Sequence, residues 1–171
     1  MSEAPPPLAF FEALRVLRAH DVEFVVIGGF AVILHGVERF TKDVDIVPEQ
    51  SRENLSRLWN ALVELEARPA ELPDFRPEET PVELSLEGLV EGGGNWVLHT
   101  RHGRVDVRQW VSGVESYEQL RAGAVETRVP QIGATVWFAG VDDLLSMKRA
   151  AGRPQDLTDI TALRMAHGLE E

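Results

Sequence analysis

Apolar positions along this chain follow two rhythms, and each rhythm predicts a different element. The dense runs Phe24-Val25-Val26-Ile27 and Ile46-Val47 are short and rich in β-branched residues, as buried strands are. Leu55, Leu58, Trp59, Leu62 and Leu65 recur instead at three- and four-residue steps, the period of a helix with one apolar face, and Ser51 is placed to cap it. A first helix is expected from Leu8, with Phe10, Leu14 and Leu17 on one side, behind a loose tail over residues 1–7 that ends in three prolines. Gly28-Gly29 turns the first strand into a short buried helix over Phe30 to Leu34, which Gly36 can end. The strand from Asp43 to Val47 stops at Pro48. Prolines and acids without periodicity from Arg68 to Thr80 predict a surface loop, and a helical stretch fits between Val82 and Val90. Alternation then predicts two hairpins, Trp96–Thr100 with Arg104–Arg108 and Val125–Val129 with Ala134–Phe138. A helix from about Asp142 to Ala151 is stopped by Gly152. Pro154 opens a last one with Leu157, Ile160 and Leu163 as its apolar positions. The sum is one α/β (α+β) domain over residues 8–171: a mixed, twisted sheet packed by helices and closed by a C-terminal helical pair.

Composition narrows the chemistry. A length of 171 residues with 44% apolar content suits a single core. The net charge of -11 and a pI near 4.9 disfavour a broad nonspecific grip on nucleic acid while leaving room for a local basic cleft. With no cysteine, disulfides, thiolate catalysis and sulfur-ligated zinc are excluded. No apolar run approaches the roughly 20 residues that span a bilayer, and no basic segment precedes an apolar signal core, so the expected location is the cytoplasm, with no membrane partner.

The candidate chemistry lies in Asp43-Val44-Asp45. Residues two apart on a strand share a face, so both carboxylates point one way while Val44 and Ile46 enter the core. Such a like-charged pair demands a proton or a cation, and hard carboxylate oxygens suit Mg²⁺. Asp106, between Val105 and Val107 on a later strand, supplies the third carboxylate wanted for two ions roughly 3.5 to 4 Å apart. Gly28 and Gly29 offer backbone N–H groups that suit a triphosphate.

Taken in order, Gly28-Gly29, His35-Gly36, Arg39, Thr41, Asp43-Val44-Asp45, Asp106, Lys148, Arg153 and Asp156 resemble the DNA polymerase beta-like nucleotidyltransferase superfamily. Gly28 to Val47 together with Met147 to Asp156 is similar to its AbiEii-type branch, which includes toxins of toxin-antitoxin pairs. The resemblance implies the polymerase beta-like fold and transfer of a nucleoside monophosphate from an NTP to an acceptor, with release of pyrophosphate. It also implies that Asp43, Asp45 and Asp106 hold two Mg²⁺ ions, Mn²⁺ being the alternative. Gly28, Gly29, Arg39, Thr41, Lys148 and Arg153 then contact the nucleotide, and Asp156 positions Lys148 or Arg153. The acceptor is a tRNA, another RNA, a protein or a small hydroxyl compound such as an aminoglycoside, which the acidic composition suits. A cognate toxin or antitoxin is an expected partner, and a non-catalytic antitoxin-like or regulatory module is the competing reading.

Each residue also carries a simpler reading. Asp106 can pair with Arg104 or Arg108, Lys148 can be a surface lysine favoured near a helix C-terminus, and Arg153 with Asp156 can be a turn with a salt bridge. His35 at a helix end suits a structural hydrogen bond. His99 and His102 lack a second pair at zinc spacing, and Gly92-Gly93-Gly94 precedes a strand, the wrong order for a phosphate loop. Most of the four tryptophans read as core.

Overall fold

The computed structural model describes residues 8–70 and 83–169. Thus the tail expected over residues 1–7 and most of the loop expected from Arg68 to Thr80 lie outside the described residues. Six helices and seven strands are described: α1 Leu8–Ala19, β1 Phe24–Ile27, α2 Gly28–Leu34, β2 Asp43–Pro48, α3 Arg52–Glu64, β3 Arg68–Pro69, β4 Asn95–Thr100, β5 Gly103–Arg108, α4 Tyr117–Ala122, β6 Val125–Val129, β7 Ala134–Phe138, α5 Val141–Ala151 and α6 Pro154–Ala166. A π-helical turn, Gly88–Gly92, precedes β4 and overlaps the end of the helical stretch expected between Val82 and Val90.

All seven strands form one mixed sheet in the order β3-β4-β5-β2-β1-β7-β6. β1 runs antiparallel to β2 and parallel to β7, and β2 runs parallel to β5. Both predicted hairpins, β4–β5 and β6–β7, form as antiparallel pairs. Val44, Ile46, Val105 and Val107 are fully buried on one face, where α1 meets β5 and α3 meets β2. Leu58, Leu62 and Leu65, all buried, fill this layer, each contributing roughly 1.5–3 kcal/mol by leaving water.

Ser51 caps α3 as expected, its Oγ accepting from the Asn54 N–H at 3.2 Å. Buried Asn54 then fixes where β2 ends: its amide donates to the carbonyls of Glu23 and Glu49, and its oxygen accepts from the Glu23 N–H. That clamp joins the start of β1 to the end of β2 and so holds their antiparallel register. Ile27 is thereby set opposite Asp45.

Three elements differ from the sequence expectation. Arg68-Pro69 is not loop but an edge strand, with Arg68 opposite His99; Pro69 is tolerated because an edge leaves one side of its backbone unpaired. α4 was not expected, its six residues being held by a Ser116 cap and one buried side chain, Leu120. In α6, Leu157 is exposed, and the side turned inward carries Asp156, Asp159 and Leu163. Ile160 and Leu163 pack as expected, whereas Leu157 does not, because the buried carboxylates Asp156 and Asp159 complete the packed face.

Candidate active site

Parallel pairing of β2 with β5 brings the three predicted carboxylates together. Asp45 sits directly opposite Asp106, and Asp43 opposite Arg104. One carboxylate oxygen from each of Asp43, Asp45 and Asp106 lies within 4.8 Å of the other two. Asp106 is buried and the other two are half-buried. Burial pushes the Asp45 carboxyl up to about 7, and the neighbouring charges of Asp43 and Asp106 push the same way against Arg108. Asp43 is raised too, by burial and then by Asp106, with Arg104, Arg108 and Arg39 opposing.

Gly28 makes this crowding possible. It opens α2 with a φ of +70°, and a Cβ there would stand 2.2 Å from Asp45 Oδ2. Gly28→Ala therefore combines left-handed strain with a clash against a site carboxylate. We expect a loss of about 2 kcal/mol in stability, read as a lower denaturation midpoint, together with weakened divalent-metal binding.

Two arginines on β5 neutralise the cluster. Arg104 grips Asp106 with two parallel hydrogen bonds, Nε to Oδ1 and Nη2 to Oδ2, both 3.0 Å, while its Nε lies 3.6 Å from Asp43 Oδ2. Arg108 reaches Asp45 Oδ1 at 3.6 Å and Asp106 Oδ2 at 3.8 Å. These distances are ion pairs rather than hydrogen bonds. Asp45 Oδ1 consequently remains buried with no hydrogen-bond partner among the described residues. An orphaned buried oxygen, a carboxyl resisting ionisation and two more hard oxygen donors fit a divalent cation such as Mg²⁺ or Mn²⁺.

On the other side of β2 lies a second charged group. Gly29 packs so closely that a Cβ would come within 3.0 Å of both Arg39 Cζ and Thr41 Oγ1. Thr41 is buried and donates to the Asp43 carbonyl at 3.0 Å, which ties the approach loop to the start of β2. Arg39 Nη1 donates to Asp159, and Lys148 Nζ lies 3.0 Å from Asp159 Oδ2 and 3.3 Å from Asp156 Oδ1. Arg153 closes the group by gripping Asp156, Nε to Oδ2 at 2.7 Å and Nη2 to Oδ1 at 3.2 Å. Burial opposes the charge on Asp156, but the Arg153 hydrogen bonds and Lys148 hold its carboxyl below the usual range. Three cations thus face two carboxylates, and the group adjoins the triad: Arg39 acts on Asp43 and Asp45 acts on Arg153.

Every predicted site residue falls in one of these two groups. Asp159 was missed; its signal in the sequence is the one-turn spacing Asp156-x-x-Asp159 behind Lys148. Arg104 and Arg108 were anticipated only as partners of Asp106, whereas they also serve Asp43 and Asp45. His35 makes the expected structural bond, its Nε2 2.8 Å from the Ala139 carbonyl. Trp110 departs from the core expectation, being 60% exposed just beyond β5. A cavity of about 270 Å³ beside Gly140, Val141 and His167 is lined by none of the site residues.

Comparison with known proteins agrees with this fold. The chain resembles the lincosamide antibiotic adenylyltransferase LnuA in its lincomycin-bound crystal structure, at a TM-score of 0.59 and 14% identity, over 92% of this chain and 96% of that one. It resembles ANT(2'')-Ia in complex with adenylyl-2''-tobramycin at 0.58 and 14%, over 94% and 89%. An antigenic nucleotidyltransferase-like protein from Paracoccidioides brasiliensis matches at 0.50 and 16%, over 94% and 78%. The fold is that of the nucleotidyltransferases. Residues 8–80 also match the model of a family described as nucleotidyltransferase of unknown function (DUF6036), a stretch that includes the glycine pair, Asp43 and Asp45. No curated protein matches the chain by sequence. Family model and fold together support a nucleotidyltransferase. No helix among the described residues is long and apolar enough to cross a membrane.

Proposed function

We propose that this protein is a divalent-metal-dependent enzyme that transfers a nucleoside monophosphate from an NTP to an acceptor hydroxyl. The observation that carries the reading is the convergence of Asp43, Asp45 and Asp106 with Asp45 Oδ1 left unpaired. These carboxylates would hold Mg²⁺ or Mn²⁺, whose chemistry is Lewis-acid stabilisation of the attacking and leaving oxygens. In the reaction, the acceptor oxygen bonds to the α-phosphorus, the bond to the bridging oxygen breaks, pyrophosphate leaves, and the acceptor proton passes to Asp106 or to solvent. Gly28 and Gly29 keep the backbone close enough to admit the triphosphate. Arg39, Lys148 and Arg153 exceed their carboxylate partners by one charge and offset charge developing on phosphate oxygens, with Asp156 and Asp159 orienting them. Thr41 acts through the backbone it anchors.

Two biological settings fit. An AbiEii-type toxin-antitoxin role, with an RNA or protein acceptor and a cognate partner, follows the order of motifs from Gly28 to Asp156. A small-molecule role is favoured by the likeness to antibiotic-modifying structures. Thermal unfolding with Mg²⁺ and each of the four NTPs tests the core of the proposal. One nucleotide at a hundredfold excess over its Kd should raise the midpoint by about 5–10 °C. The Asp43→Asn/Asp45→Asn double variant should lose the effect, and no shift with any NTP would sink the reading. Incubation of the enzyme with an NTP labelled at its α-phosphate and a cell extract then separates RNA, protein and small-molecule acceptors.

A further inference from the structure

We propose that Arg104 and Arg108 form the acceptor side of the site, and that the acceptor they select carries phosphate. In the free protein they neutralise the carboxylate triad; once a divalent cation takes the triad, their guanidiniums turn to the incoming acceptor. The inference rests on the nucleotidyl-transfer reading and names the acceptor class of that same site.

The sheet order places β2 between β5 and β1, and Gly29, just after β1, packs against Arg39, so the triad has a cationic flank towards each neighbouring strand. The two flanks are built differently. On the β1 side, Arg39, Lys148 and Arg153 have carboxylates of their own, Asp156 and Asp159. On the β5 side, every ion pair of Arg104 and Arg108 among the described residues is with the triad itself. Arg104 covers both oxygens of Asp106, so a cation entering there competes with it for the same donors. Neutralised by that cation, the triad no longer balances two guanidiniums. Their side chains are 37% and 35% exposed, so both heads already reach the surface.

The neighbouring strand agrees with an anionic guest. β4 sets His99 opposite Arg104, Val97 opposite Asp106 and Asn95 opposite Arg108, and residues directly paired across strands share a face. That face adds an amide and an imidazole, both exposed, and no carboxylate. Planar guanidiniums match phosphate oxygens in a two-point grip, whereas a polycationic acceptor would meet two arginines with no acid on β4 or β5 other than Asp106, which the metal would occupy. With one divalent cation on the triad, the three carboxylates and two guanidiniums sum to about +1, opposite in sign to the net charge of -11. A phosphate-bearing hydroxyl compound can be an RNA end or a small phosphorylated sugar.

The test uses the full chain with Arg104→Met and Arg108→Met, and with Arg104→Lys as a variant that keeps the charge. Mn²⁺ affinity, read from the EPR signal of free Mn²⁺, should rise several-fold in Arg104→Met and less in Arg104→Lys. Equal or weaker binding in both overturns the displacement. With Mn²⁺ and an NTP bound, a short RNA and ribose 5-phosphate are titrated as probes, with polycationic tobramycin as the contrast. At least one phosphate-bearing probe should bind, and Arg108→Met should weaken it about tenfold, with reduced salt dependence. RNA alone identifies a polynucleotide acceptor; the sugar phosphate identifies a small one. Failure of both probes, binding unchanged in the arginine variants, or binding of tobramycin in their place overturns the proposal. The Mg²⁺-NTP thermal shift is measured beside these, so a missing shift condemns the nucleotidyl-transfer reading and an intact shift confines the failure to the acceptor.

Discussion

Asp45→Asn should abolish nucleotidyl transfer and at the same time stabilise the metal-free protein at neutral and alkaline pH. Loss of a carboxylate at the centre of the triad removes a donor that no neighbour can replace, and a rate reduction on the order of a thousandfold or more is expected. The stability gain follows from the same burial. The Asp45 carboxyl titrates near 7 in the folded protein, against roughly 3.9 when unfolded. Between those values the native state binds more protons than the unfolded one, so stability falls as pH rises. The contribution is fully present below about pH 4 and gone above about pH 7. Shared repulsion with Asp43 and Asp106 spreads the effect over the three groups, which leaves about 2 kcal/mol as the scale for Asp45. Asparagine does not ionise and so escapes that share of the decline. Urea denaturation at pH 5 and pH 8 without metal measures this: the wild type should lose stability between the two, and the variant, which keeps Asp43 and Asp106, should lose clearly less. Excess Mg²⁺ at pH 8 should stabilise the wild type alone. A wild type equally stable at both values, or a variant that loses as much as the wild type, would contradict the electrostatic account.

The second large effect belongs to Asp159. Its side chain is 2% exposed, with Arg39 and Lys148, themselves largely buried, both on its Oδ2. Asp159→Ala leaves those cations short of a partner, and breaking a buried pair from one side costs about 3–5 kcal/mol. For a chain of this size the melting temperature should fall by about 10 °C or more. Asp159→Asn keeps the shape and one acceptor oxygen and should lie between. Leu157→Ala, two positions away, should stay within about 0.5 kcal/mol because Leu157 faces solvent. Apolar spacing in the sequence suggests the opposite ranking, so calorimetry of these variants decides which side of α6 is packed.

That reversal shows where sequence reading stops. The period-two alternation of Asp43-Val44-Asp45-Ile46 and of Val105-Asp106-Val107 was enough to place three carboxylates outside the core, because strand sidedness is a local property. The helix caps at Ser51 and Gly152 and both hairpin turns were legible for the same reason. Asp159 was not, since an aspartate on a helix reads as solvated until a distant arginine, 120 positions earlier, is known to face it. β3 has no pattern of its own and exists only through pairing with β4.

By itself, then, the sequence determined which residues could form strands and helices, which way each carboxylate pointed, and the ordered motif from Gly28 to Asp156. The tertiary structure alone decided that β2 and β5 lie parallel in a register that sets Asp45 against Asp106. It decided too that Arg104 and Arg108 lie across all three acids, and that Asp156 and Asp159 are buried against Arg39, Lys148 and Arg153. The physical reason is one of range. Sidedness and capping arise within a few residues, whereas burial, charge pairing and a carboxyl raised to about 7 depend on segments far apart in the chain.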